Sequence, residues 1–115
     1  MAESTINITR KKQGDVMVLE LHGALDARTT PRLNAELKGV ISAGNVKVVC
    51  DLSNLRYIAS AGIGALFANL KEAKKGGGDL RLAGASKEIQ DVFDLLNFSA
   101  AFKMAPTVAE ALRGF

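Results

Sequence analysis

Val46-Lys47-Val48-Val49-Cys50-Asp51-Leu52 is a short, β-branched, almost wholly apolar run, interrupted only by Lys47 and Asp51. Such a run is what a strand covered on both faces requires. After residues 53–60, read as a connection, the period changes. Ile63, Leu66, Phe67 and Leu70 fall at i, i+3, i+4 and i+7, the apolar stripe of a helix. Gly76-Gly77-Gly78 punctuates its end, with Lys71, Lys74 and Lys75 complementing the negative end of the helix dipole. Leu80 and Leu82 then alternate with Arg81 in the two-residue period of a strand. Strand, helix and strand in this order make a crossover unit, and its two strands must run parallel.

The same reading extends outward. Ile6 and Ile8 alternate with Asn7 and Thr9, Gln13-Gly14-Asp15 is a turn, and residues 16–21 are β-rich, so the chain opens with a hairpin. Gly23 punctuates, and Thr30 as N-cap with Pro31 at the first helical position starts a helix. Leu33, Leu37, Val40 and Ile41 form its face and Gly44 closes it. Toward the C-terminus Ser86 caps a helix with Ile89, Val92, Phe93 and Leu96 on one face. Phe102-Lys103-Met104 reads as a short strand, and Thr107 opens a last helix carrying Val108, Ala111 and Leu112. The order β-β-α-β-α-β-α-β-α predicts one α/β sandwich over residues 1–115, a single domain. Its sheet is mixed but mostly parallel, with about five strands and about four helices.

Composition narrows the function. A chain of 115 residues with 48% apolar side chains buries one core. The N-terminal MAESTINITRKK lacks the apolar segment of a secretory signal, and no run is long enough to span a membrane, so a cytoplasmic protein is expected. The single Cys50 makes no internal disulfide and reads as a small buried hydrophobe. No Cys/His cluster offers a metal site, and the lone His22 has no partners for catalysis. The net charge is +3, the basic residues are scattered, Trp is absent and Tyr57 stands alone, so no nucleic-acid platform is present. No enzyme and no cofactor are expected.

The informative stretch is Asp51-Leu52-Ser53-Asn54-Leu55-Arg56-Tyr57-Ile58-Ala59-Ser60-Ala61-Gly62-Ile63-Gly64. A strand ending in Asp-Leu-Ser, a connection and a Ser-x-Gly-x-Gly helix start resemble the STAS family, the anti-sigma factor antagonists of bacteria. Gly23-Ala24-Leu25-Asp26, Val92-Phe93-Asp94-Leu95-Leu96-Asn97-Phe98 and Thr107-Val108-Ala109-Glu110-Ala111-Leu112 extend the resemblance over residues 6–115. Two positions depart from it: Ala59 stands where many members carry Asp, and Ala61 replaces a second serine.

The resemblance implies a STAS-like fold and a signalling protein that regulates transcription by partner switching. Ser60 is then the phosphoacceptor. The partners are an anti-sigma factor with serine kinase activity and a serine phosphatase, with no direct contact to nucleic acid and no membrane insertion. The docking surface comprises Asp26, Ile58, Ala59, Ser60, Ala61, Gly62 and Ile63. The competing reading is a STAS scaffold that is never phosphorylated, an accessory subunit of a transporter or of a stress-signalling assembly. Read from the residues alone, Ser60 is equally an ordinary N-cap and Asp26 a turn or capping aspartate. Asp51 reads as a structural residue that fixes the following loop by hydrogen bonds. Gly62 and Gly64 are too little for a phosphate cradle and instead allow the helix start to come close to a neighbour.

Overall fold

The computed structural model describes residues 5–115; the leader-free N-terminus expected from the sequence includes residues 1–4, which lie outside that range. Strands β1 (Ile6–Gln13) and β2 (Val16–Leu25) form the expected hairpin. They are followed by α1 (Thr30–Ser42), β3 (Lys47–Ile58), α2 (Ser60–Lys75), β4 (Asp79–Ala83), α3 (Lys87–Leu95), one 3-10 turn (Ser99–Ala101), β5 (Met104–Ala105) and α4 (Val108–Ala111). The five strands lie in sequence order, β1-β2-β3-β4-β5. β1 is antiparallel to β2 and every other pair is parallel.

Sequential parallel strands joined by right-handed crossovers always step the same way, so α1, α2 and α3 must share one face of the sheet. Accordingly Leu33 and Leu37 of α1, Ile63 and Leu66 of α2, and Ile89 and Phe93 of α3 pack in one cluster with Leu19, Leu21, Val48, Cys50 and Leu82. The opposite face carries Val16, Val18, Val49 and Ala83 and is covered by α4 through Ala111, Val108 and Leu112. This explains why the run opening at Val48 is apolar on both sides of the pleat: even-numbered side chains meet three helices and Val49 meets the fourth. Burial pushes the Cys50 thiol up from 9.0 to about 12, with the Asp51 charge adding to it. In the unfolded chain the thiol ionises near its ordinary value while the native state keeps the proton. Stability contributed by the neutral thiol is thus whole below pH 9.0 and is lost as pH rises toward about 12. Urea titrations of wild type and Cys50→Ala across that window will show a steeper decline for wild type, by up to about 1.4 kcal/mol per pH unit.

Several boundaries differ from the sequence reading, and β2 runs on through Gly23 to Leu25. β3 does not stop at Leu52: the segment read as a connection stays paired to β2 as far as Leu25↔Ile58, with register breaks opposite Glu20/His22 and Gly23/Ala24. Each break inserts one extra residue in β3. Its inward side chains therefore recur every third residue, as Leu52, Leu55 and Ile58, and the two-residue alternation of a strand is hidden. At α1 the N-cap is Thr29, not Thr30. The Thr30 hydroxyl donates upstream to the Asp26 carbonyl at 2.6 Å and caps nothing, while Thr29, 7% exposed, donates to the Ala24 carbonyl at 2.7 Å. Pro31 still sits in the first turn of α1.

At the C-terminal side, the last strand is Met104–Ala105. Phe102 instead turns into the core edge-to-face on Phe93, with ring centroids 5.6 Å apart. Leu96 is the C-cap of α3 and is partly exposed, not on the buried face, because Asn97 at φ 62 turns the chain away. The Ser86 and Thr107 caps lie where the sequence places them, each hydroxyl oxygen accepting from an amide three residues on.

Candidate functional site

β2 and β3 end side by side, and the Ala59 amide donates to the Leu25 carbonyl at 2.8 Å. Asp26 leaves β2 where Ser60 opens α2, so two residues far apart in sequence emerge together at the carboxyl edge of the parallel strands, the usual place for sites in such sheets. Asp26 is committed to its own turn. Its Oδ1 accepts from the amides of Arg28 at 2.9 Å and Thr29 at 3.1 Å, which fixes the approach to α1. Asp51 acts similarly: its Oδ1 accepts from the Ser53 amide at 3.0 Å and the Ser53 hydroxyl at 2.8 Å, where β4 stops pairing with β3.

Ser60 is exposed and is the first residue of α2, with Ala59 in the N-cap position at φ −95 and ψ 168. The N-cap reading of Ser60 therefore does not hold. No side-chain cap bond closes this helix start, and the Ser60 hydroxyl makes no hydrogen bond among the described residues. The Gly62 and Ile63 amides both turn back to the Ala59 carbonyl, at 2.9 and 3.3 Å. The amides of Ser60 and Ala61 bond no backbone oxygen among the described residues, leaving two donors and the positive end of a 16-residue helix beside an uncommitted hydroxyl.

The remaining residues divide by burial. Ile58 and Ile63 are 1% and 0% exposed and Gly62 is buried, so these three hold the loop. Ser60, Ala61 and Gly64 are exposed and Ala59 is half-buried. A Cβ on Gly62 would lie 3.0 Å from Ile58 Cγ1 and 3.1 Å from Leu25 Cβ, whereas one on Gly64 would meet nothing within 4 Å. The close approach expected of the glycine pair thus belongs to Gly62 alone, and it is to the strand ends. Gly64→Ala will stabilise the fold by up to about 1 kcal/mol through helix propensity. Gly62→Ala will lose that gain to overpacking and fall about 1–3 kcal/mol below it. Urea midpoints of the two variants check the ordering. The sequence reading missed Arg56 and Tyr57, which the bulged end of β3 holds exposed beside this edge; Tyr57 is 54% exposed. Only the isolation of a single tyrosine next to Ser60 could have flagged them.

Among the described residues no three His, Cys, Asp or Glu side chains converge as a metal site, and no helix is long and apolar enough to cross a membrane. Comparison with known proteins matches the STAS domain over residues 7–111. A Bordetella bronchiseptica protein named as an anti-sigma factor antagonist, BtrV, is 27% identical over 110 residues, covering 96% of this chain and 95% of its own. An anti-sigma factor antagonist from Mycobacterium paratuberculosis superposes with a TM-score of 0.86 at 23% identity, over 94% of this chain and 92% of its own. The antagonist SpoIIAA superposes in its unphosphorylated form with a TM-score of 0.78 at 20% identity, over 94% of this chain and 93% of its own. Its phosphorylated form, from Bacillus, gives 0.71 at the same 20% identity, over 94% and 96%. With the family match spanning residues 7–111 and a mixed five-stranded sheet with four helices like that of these neighbours, the chain belongs to the STAS domain family.

Proposed function

We propose that this chain is a bacterial anti-sigma factor antagonist that acts by partner switching, as a single cytoplasmic STAS domain over residues 1–115 without catalytic activity of its own. Unphosphorylated, it binds an anti-sigma factor that is also a serine kinase, and the sigma factor is released. The kinase transfers the γ-phosphoryl group of ATP to Ser60 Oγ; the bond from the γ-phosphorus to the β-bridging oxygen breaks, ADP leaves and the hydroxyl proton passes to a base on the kinase. A serine phosphatase hydrolyses the ester and restores the binding form.

The observation that carries this reading is the Ser60 hydroxyl, exposed, unbonded among the described residues and set at the mouth of α2. An accessible, uncommitted hydroxyl at a helix start is what a modifying kinase requires, and this favours switching over the constitutive reading. A phosphoserine adds about −1.5 to −2 charges, and here it meets two free amides and the positive helix end, so the fold tolerates it. The similarity of this fold to both the unphosphorylated and the phosphorylated form of SpoIIAA is consistent with a switch that leaves the architecture in place.

Incubation with the cognate kinase and ATP will add one phosphoryl group to wild type and none to Ser60→Ala, read by intact mass. Because Ala59 holds the cap position and the Ser60 hydroxyl bonds nothing among the described residues, Ser60→Ala will unfold within a few tenths of a kcal/mol of wild type, unlike the loss of about 1 kcal/mol for a true cap. A wild type that gains no phosphoryl group overturns the proposal.

A further inference from the structure

We propose that residues 107–115 form a clasp on the sheet face opposite α2, locked by Arg81, and that this clasp opens as one unit while the rest of the domain stays folded. Arg81 alternates with Leu80 and Leu82 in β4 and so points away from the three-helix side. It is 7% exposed and is the only buried charged residue among those described. Taking a charge out of water is costly unless its partners are well placed.

Nearly all of those partners belong to the clasp. Arg81 Nη1 donates to the carbonyls of Ala111, at 3.1 Å, and Arg113, at 2.7 Å, and Nη2 donates to that of Gly114 at 3.2 Å. The Phe115 ring lies against the guanidinium, with Cζ 3.9 Å from its centroid. Only Nε turns elsewhere, to Asp79 Oδ2 at 3.2 Å, a carboxylate of the same strand that steadies the side chain. One rigid, planar fork thus satisfies three carbonyls at and beyond the end of α4. Because they share it, they are held or released together.

The rest of the clasp adds little hold of its own. α4 has four residues, far too few for a helix to persist without tertiary support. Of these only Ala111 is buried, while Val108, Leu112 and Phe115 are half-buried. Lifting residues 107–115 breaks no strand pairing and frees no side chain of the three-helix core. It uncovers Val16, Val18, Val49 and Ala83, an apolar patch that the closed clasp hides. An opening of this kind requires less free energy than global unfolding. It lies across the sheet from α2 and is independent of the role given to Ser60.

Hydrogen exchange of the ¹⁵N-labelled full chain, followed amide by amide, tests the proposal. The amides of Glu110, Ala111, Leu112 and Arg113 find their acceptors inside the clasp. They are expected to share one protection factor, at least a hundredfold below that of Val48, Val49 and Cys50 in β3. Low urea will barely change it, whereas exchange in β3 will accelerate with the slope of global unfolding. Arg81→Lys keeps the charge but cannot span three carbonyls, and will lower clasp protection at least tenfold further while the β3 and α2 cross-peaks stay dispersed. Should Arg81→Lys fail to fold, Phe115→Ala, which removes only the ring against the guanidinium, decides the matter with a severalfold drop at the same four amides. Clasp amides that exchange at the β3 rate and with its urea slope, or clasp protection unchanged in the folded variants, would overturn the proposal.

Discussion

Ser60→Asp will bind the anti-sigma partner on the order of a hundredfold more weakly than wild type while remaining as stable or slightly more so. The two halves of this expectation have different origins. An aspartate at the first position of α2 lies at the positive end of the helix, near the unbonded amides of Ser60 and Ala61, where an acidic side chain contributes about 0.3–1 kcal/mol of stability. Far-UV circular dichroism and the urea m-value should therefore match wild type. On the partner side the same charge enters the proposed interface, where the unphosphorylated form presents a neutral hydroxyl. An unmatched charge placed against a docked protein costs several kcal/mol, and about 3 kcal/mol is already two powers of ten in Kd.

Ser60→Asn separates charge from bulk. It is close to aspartate in size but neutral, and will retain most of the affinity that Ser60→Asp loses. The Asp penalty will also shrink at high salt, as a screened charge effect must. Ala109→Asp, an exposed position on α4 across the sheet, controls for net charge and will bind as wild type does. Calorimetric titration of the four proteins against the partner decides the matter. Equal Kd values for Ser60→Asp and wild type would remove the basis of the switch.

How far the sequence foretold this site depends on which interaction each residue serves. The run from Val48 to Leu52 was legible because both faces of β3 are covered, leaving its apolar character unbroken. The stripe Ile63, Leu66, Phe67 and Leu70 was legible because one face of α2 meets the sheet. Residues 53–58 were not, since two extra residues in β3 turn the inward period from two into three and place Ser53, Asn54, Arg56 and Tyr57 in solvent between Leu52, Leu55 and Ile58. Thr29 and Thr30 compete for one cap, and their hydroxyls' bonds to carbonyls five and four residues upstream, at Ala24 and Asp26, settle it by a turn geometry that residue type alone does not reveal. The adjacency of Asp26 and Ser60 is a matter of register between β2 and β3, which no local pattern encodes; the family resemblance supplied it.

Gly23→Ala will cost about 3–5 kcal/mol, a large share of the roughly 5–15 kcal/mol that holds a small domain together. From the sequence Gly23 reads as punctuation after a strand, yet β2 continues through it to Leu25. Its φ of +124 lies where side chains are strained, which costs about 1–3 kcal/mol. Space is the second obstacle: a Cβ there would sit 2.2 Å from the Thr5 carbonyl oxygen and 3.3 Å from Ile6 Cα. Both are backbone atoms, so no side-chain rotation relieves the clash and the start of β1 must move. That motion breaks the bond from the Ala24 amide to the Thr5 carbonyl, now 2.9 Å, and shifts Ile6, which is 3% exposed, out of the core. Overpacking of this kind adds about 1–3 kcal/mol. Gly14→Ala is the matched control, also at positive φ but with nothing within 4 Å, and will cost only about 1 kcal/mol. Urea unfolding of both variants measures the difference, and a Gly23→Ala midpoint equal to that of Gly14→Ala would show that the β1 end yields freely. Because Asp26 lies three residues beyond Gly23 and fixes the approach to α1 beside Ser60, the same substitution should also slow phosphorylation of whatever fraction remains folded. The glycine of the Gly-Ala-Leu-Asp segment is in this way a packing requirement of the hairpin on which the proposed switching edge depends.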